Sequence, residues 1–150
     1  MTYDITKKRA AETAKIELTD GDGAPLLDDA GNRLSVTLCG PASKTWRQAD
    51  AERSRKQASR AEKNPRKIAS AIADHRDEDE ADFLVAITVS FNGWTYPGEF
   101  ASQKDMFRAA YADNGIGYIR DQLSKEGNDW SAFSATASTP SVSTPASSPG

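Results

Sequence analysis

Asp20 and Asp22 stand two residues apart in a glycine-rich stretch, "TDGDGAP", which is how a calcium-binding loop opens. Such a loop needs a further Asp or Asn two residues on, then a glycine and a distal glutamate. Here Ala24 and Pro25 follow, so the stretch reads as a turn rather than a metal site. His75 is the only histidine and lies among acids in "ADHRDED", with no placed nucleophile to make a Ser-His-Asp arrangement. Cys39 is the only cysteine. At a strand end it reads as a small buried residue rather than a nucleophile. The chain has no Cys/His metal spacing and no glycine-rich phosphate loop following a strand. Its carboxylates lie in exposed runs, where a raised pKa is not expected. The expectation is a protein with no catalytic, cofactor or metal site, and not an enzyme.

The remaining chemistry is that of binding. Lys44 to Lys67 carries nine basic and three acidic side chains, a net charge of +6. A basic helix of this kind can contact nucleic acid. Apart from Trp46 it has no aromatic residue on which a base could stack. The acidic run "DHRDEDEAD" follows and could neutralise it, within the chain or in a neighbouring subunit. The most apolar stretch is "FLVAITVSFNGWTYPGEF", residues 83–100. Phe91, Trp94, Tyr96 and Phe100 from this stretch, with Trp46, are the partner-binding candidates, because large aromatics dominate both cores and interfaces.

These residues need a scaffold. Ala14, Ile16 and Leu18 alternate with polar residues, as do Leu34, Val36 and Leu38, which predicts two antiparallel strands joined by a long acidic connection. Two strands alone are marginal in water and need a third strand, a helix or another chain. Helix-favouring residues fill 44–63 and Asn64-Pro65 interrupts them. Phe83, Ile87, Phe91 and Trp94 fit one helical face, and Asp77–Asp82 supply an acidic lead-in suited to a helix N-terminus. The β-branched Val85, Ile87, Thr88 and Val89 would suit a buried strand. The phase match predicts a helix over 83–91, ended by Asn92-Gly93 with Gly93 at positive φ and Trp94 folded back. Phe83, Ile87 and Phe91 are expected to pack on Met106, Phe107 and Ile119. Ser102 caps the next helix, another runs to Gly127, and Trp130 and Phe133 are expected to close over the core. The residues after Phe133 are rich in Ser, Thr, Pro and Ala and predict disorder.

The fold class expected is therefore α+β. An N-terminal β-rich segment (1–43) leads through a charged helical linker (44–76) to a small C-terminal helical domain (77–133) and a disordered tail (134–150). Hydrophobic residues are 37% and charged residues 27% of 150, so the core should be small. The N-terminus lacks an apolar h-region and no run is long enough to span a bilayer. With a lone thiol, this reads as a soluble cytoplasmic protein without a membrane partner.

Two regions resemble the tail assembly chaperones of long-tailed bacteriophages. In "KIELTDGDGAPLLDDAGNRLSVTLCGPASKTWRQA" a strand pair is built on a Gly-Pro-x-Ser turn, Gly40–Ser43, and leads into a charged helix opening on Trp46. In the stretch from Phe83 to Phe133 an apolar segment ends in Phe91-Asn92-Gly93, and a Ser-led helix from Ser102 follows. The β-branched content of 83–91, and Trp94 where an aliphatic residue is expected, depart from that pattern. The resemblance implies a non-enzymatic helper in the host bacterial cytoplasm, absent from the mature virion. It would bind the tape measure protein, keep it soluble and recruit tail tube protein. A frameshifted longer form of itself and a homo-oligomer are further partners that it suggests. The competing readings are a structural minor tail or head–tail completion protein of the virion, and a nucleic-acid-binding regulator acting through 44–67.

Overall fold

A computed structural model describes residues 2–134 and shows an α+β fold. Strands β1 (Thr13–Glu17), β2 (Ser35–Cys39) and β3 (Thr88–Asn92) form an antiparallel sheet in the order β1-β2-β3. Helices α1 (Lys44–Lys63), α2 (Ile68–Asp74) and α3 (Arg76–Ile87) lie between β2 and β3, and α4 (Gln103–Ala112) and α5 (Gly117–Gly127) follow. Short 3-10 turns span Ile5–Lys8 and Trp130–Phe133. The expected tail lies outside the described residues apart from its first residue.

The alternation read in β1 and β2 is the alternation observed. Ala14 pairs with Leu38 and Ile16 with Val36, and all four are buried. Between the strands the chain makes two turns of the same design. Asp20 Oδ1 accepts the N–H groups of Asp22 and Ala24, and Asp28 Oδ1 accepts those of Ala30 and Asn32. Gly23 and Gly31 follow at φ +89° and +88°, where a Cβ is disfavoured. Three leucines eight residues apart close the unit. Leu18 N–H donates to Leu34, Leu26 to Leu18 and Leu34 to Leu26, at 2.9–3.0 Å.

The helix expected over 83–91 is corrected. Helix α3 stops at Ile87 and the chain continues as β3, pairing Val36 with Phe91 and Leu38 with Thr88. Side chains end the helix. Thr88 Oγ1 donates to Leu84 O at 2.6 Å, and Lys104 Nζ donates to Val85 O and Thr88 O, both at 2.8 Å. Lys104 thus neutralises the carbonyl end of α3, where a cation is favoured. Burial pushes its pKa down from the ordinary lysine value. The free edge of β2 takes up the β-branched residues that follow, with an irregularity between Thr37 and Leu38 that leaves Val89 exposed. Gly93 does have positive φ (+86°), but it ends a strand rather than a helix.

Because β3 comes from the 77–133 stretch, the segments divided at 43 and 76 share one sheet and one core. That core includes Ile16, Leu18, Val36, Leu38, Leu84, Ile87, Phe107, Tyr111 and Leu123. Phe83 lies in the same core cluster as Phe107 and Ile119, and also faces α1. Its ring lies edge-on to Trp46, 5.7 Å between centroids, with the Arg53 guanidinium 3.7 Å above it, so it seals α1 to α3. Phe133 is fully buried, whereas Trp130 is 53% exposed and does not close the core.

Two substitutions test this framework. A Cβ at Gly40 would sit 2.3–2.7 Å from the Phe133 ring. Gly40→Ala should therefore cost about 1–3 kcal/mol, the usual penalty for overpacking, read as a drop in urea midpoint. An unchanged midpoint would mean that Phe133 is not seated there. Lys104→Met should cost about 1–2 kcal/mol, the lower range for hydrogen bonds to a charged group because this one is partly exposed. Hydrogen exchange should accelerate first at the α3–β3 junction, and uniform acceleration would contradict the capping role.

Candidate functional site

The aromatic candidates fall into two places. At the end of β3, Phe91 stacks on Trp94 with centroids 3.9 Å apart and planes 10° off parallel. Phe91 also meets Phe107 at 4.6 Å and Tyr111 at 5.9 Å, so it is the inner wall of the cluster. Gly93 turns the chain back so that Trp94 Nε1 donates to Ser35 O at 2.9 Å. Tyr96 Oη donates to Asp113 Oδ2 at 2.7 Å, which lowers the Asp113 pKa and raises that of Tyr96. Phe100 lies 6.5 Å from Tyr96 and is 37% exposed. Phe91, Trp94 and Tyr96 are thus half-buried and anchored, and Phe100 is the most accessible of the four. Trp46 is half-buried on α1, with Nε1 donating to Gly127 O at 2.8 Å. The structure does not bring it to the other four.

The polar face of the sheet beside this corner is self-satisfied. Asn92 Nδ2 donates to Ser35 Oγ and Thr37 Oγ1 at 3.1 and 3.0 Å, and Ser90 Oγ donates to Asn92 Oδ1 at 2.8 Å. Within the core, Thr88 Oγ1 and Tyr111 Oη lie 2.7 Å apart. Burial pushes the Tyr111 pKa well above its ordinary value, so the phenol stays protonated.

Three of the nine cations of the basic segment, Arg53, Lys56 and Arg60, are paired with the acidic run. Arg60 holds Asp79 with two hydrogen bonds of 3.0 and 2.7 Å, and Asp79 is only 4% exposed. Arg53 reaches Glu80 at 3.1 Å, and Glu80 also accepts from Ser124 Oγ at 2.6 Å. Lys56 reaches Asp82 at 2.8 Å, and Arg108 of α4 binds the other oxygen of the same carboxylate. Three acids of α3 therefore tie α1, α4 and α5 together. Burial alone would raise the Asp82 pKa, but the bonds from Lys56 and Arg108 outweigh it and hold it below the ordinary value. Lys44, Arg47, Lys63, Arg66 and Lys67 have no carboxylate partner among the described residues.

A feature not singled out in the sequence lies between these helices. Helix α2, "IASAIAD", has five apolar residues in seven; none is fully buried, and Ala71 and Ile72 are half-buried. Ile68 is 43% exposed. The signal was present as two isoleucines four residues apart just after Asn64-Pro65, but the segment reads equally as a buried turn of helix. Among the described residues no helix is long and apolar enough to cross a membrane. No protein-family model, no curated protein and no solved structure matches the chain.

The Asp82 bridge yields a pH test. A carboxylate whose folded pKa lies below its unfolded value adds stability above the unfolded pKa, near 4. That stability is lost as pH falls through the folded value. The urea midpoint should therefore decline from about pH 6 to about pH 3, the carboxylate range. In Asp82→Asn the midpoint should start lower and decline less steeply. A wild-type slope in the variant would show that Asp82 does not contribute to the acid response.

Proposed function

We propose that this chain is a non-enzymatic assembly helper that binds an apolar helical partner, as a tail assembly chaperone binds the tape measure protein of a long-tailed phage. The observation that carries this reading is α2, a helix rich in Ile and Ala with no buried side chain. An exposed apolar helix on a small protein marks a surface made to be covered. The ion-paired α1 and α3 on either side hold it in place. Lys63, Arg66 and Lys67 lie just before it and would favour an apolar stripe flanked by acids.

The resemblance of residues 14–133 to tail assembly chaperones supports the same reading and names the partners, tape measure protein and tail tube protein. The protein would work in the host cytoplasm and leave before the virion is complete. The aromatic corner at Phe91–Phe100 then serves mainly to rigidify the fold, with Phe100 as its accessible edge. The ion pairs between α1 and α3 weigh against action as a nucleic-acid regulator, since they occupy the middle of the basic helix.

Co-expression with a tape measure protein should raise its soluble yield and co-purify the two chains. Ile68→Glu with Ala69→Glu should abolish co-purification while leaving the melting temperature close to wild type, because both side chains are exposed. A tape measure protein equally soluble without this chain would overturn the proposal, and binding unaffected by the two substitutions would remove α2 from it.

A further inference from the structure

The N-terminal 3-10 turn and the last one, distant in sequence, are brought side by side. Ala11 N–H donates to Phe133 O at 2.7 Å and Gly40 N–H to Glu12 O at 2.8 Å. This leaves a groove of about 490 Å³ with Lys7, Lys8 and Arg9 on one wall and Trp130 and Ser131 on the other. That volume falls within the usual range for ligand clefts. The indole of Trp130 is 53% exposed, and Tyr3 and Ile5 near the same wall are 62% and 73% exposed. Lys7 lies 5.8 Å from the Tyr3 ring centre. None of the three cations has a carboxylate within ion-pair distance among the described residues. They contrast with Arg53, Lys56 and Arg60, each held by an acid of α3.

We infer that this groove is a second binding site, for an acidic peptide segment of another protein that places an apolar side chain on Trp130 and its carboxylates on Lys7, Lys8 and Arg9. Charge selects this occupant. Three neighbouring cations without counter-ions attract carboxylates and steer their approach. A flat, exposed indole beside them gives one apolar side chain a wall to lie on. Single-stranded nucleic acid fits less well, since it needs successive aromatics along a charged track and only one ring lines this groove. Residues 135–150 follow Ser134, which lines the groove, in sequence, but they contain no Asp or Glu side chain to pair with the cations. The site does not depend on the tail-assembly reading, because it shares no residue with α2.

The full chain should be titrated with a fluorescein-labelled peptide alternating Glu and Leu, following anisotropy. The same peptide with Lys for Glu, an oligo-dT strand and a synthetic peptide of residues 135–150 serve as comparisons. The Glu/Leu peptide should bind most tightly and weaken with added salt, as exposed charges require. The combined substitution Lys7→Glu, Lys8→Glu, Arg9→Glu should lower its affinity by at least about tenfold, and so should Trp130→Ala, each equivalent to about 1.4 kcal/mol. Melting temperatures should stay near wild type, since all four side chains are exposed. Ile68→Glu should leave this binding unchanged, which separates it from the surface on α2. The proposal is overturned by affinity that survives the charge reversal, by tighter binding of oligo-dT, or by equal binding of the 135–150 peptide.

Discussion

Helix α3 has to end at Ile87, and the carbonyls it leaves at its end have to be satisfied inside the protein. Unmet carbonyls there would cost as much as lost hydrogen bonds. Thr88 and Lys104 meet this need from two directions, the first from within the chain and the second from the start of α4. The sheet gains its third strand because the helix stops there. A hairpin of β1 and β2 alone would be marginal, and β3 puts Phe91 over Val36 and Thr88 over Leu38. The same lysine fixes where α4 begins relative to α3, so one ammonium sets the relation between helix, strand and following helix.

The second organising force is charge of opposite sign in α1 and α3, two helices separated in sequence by α2. Alternating the signs within one helix would leave each pair at the solvent surface, where it contributes little. Segregating them lets α1 and α3 pair face to face, with Asp79 taken out of water only because Arg60 grips both its oxygens. Phe83 lies beneath this layer, under Arg53 and against Trp46. The chain thus holds its helices together with few large apolar residues. This is consistent with a low hydrophobic share and leaves Ile68, Ala69 and Ala73 of α2 exposed.

Local signals in the sequence carried much of this fold. The alternation in 14–18 and 34–38, the cap at Ser102, the break at Asn64-Pro65 and the positive φ of Gly93 each depend on a few neighbouring residues. The boundary at Ile87 did not, because Phe83, Ile87 and Phe91 satisfy a helical spacing as well as the observed helix and strand. The deciding groups, Lys104 and the open edge of β2, are remote in sequence. That Phe133 closes over the core as expected while Trp130 stays exposed has the same origin, since Gly40, remote in sequence, makes room for the Phe133 ring. The aromatic candidates could be picked out by residue type, but the stacking of Phe91 on Trp94 and the anchoring of Trp94 by Ser35 and of Tyr96 by Asp113 could not be read from spacing.

The leucine triangle under the two acidic turns has an effect on how this protein can change. Leu18, Leu26 and Leu34 hand one backbone hydrogen bond to the next around a closed circuit, and each aspartate closes its own turn. The chain enters and leaves this circuit at neighbouring points, and most of its inner bonds are made without help from the helices. Residues 19–33 therefore behave as a cassette. Asp20, Asp28, Gly23 and Gly31 are bound to the turns, but Asp22, Asp29 and Ala30 are exposed at the tips and can change in size and charge while β1 and β2 keep their register.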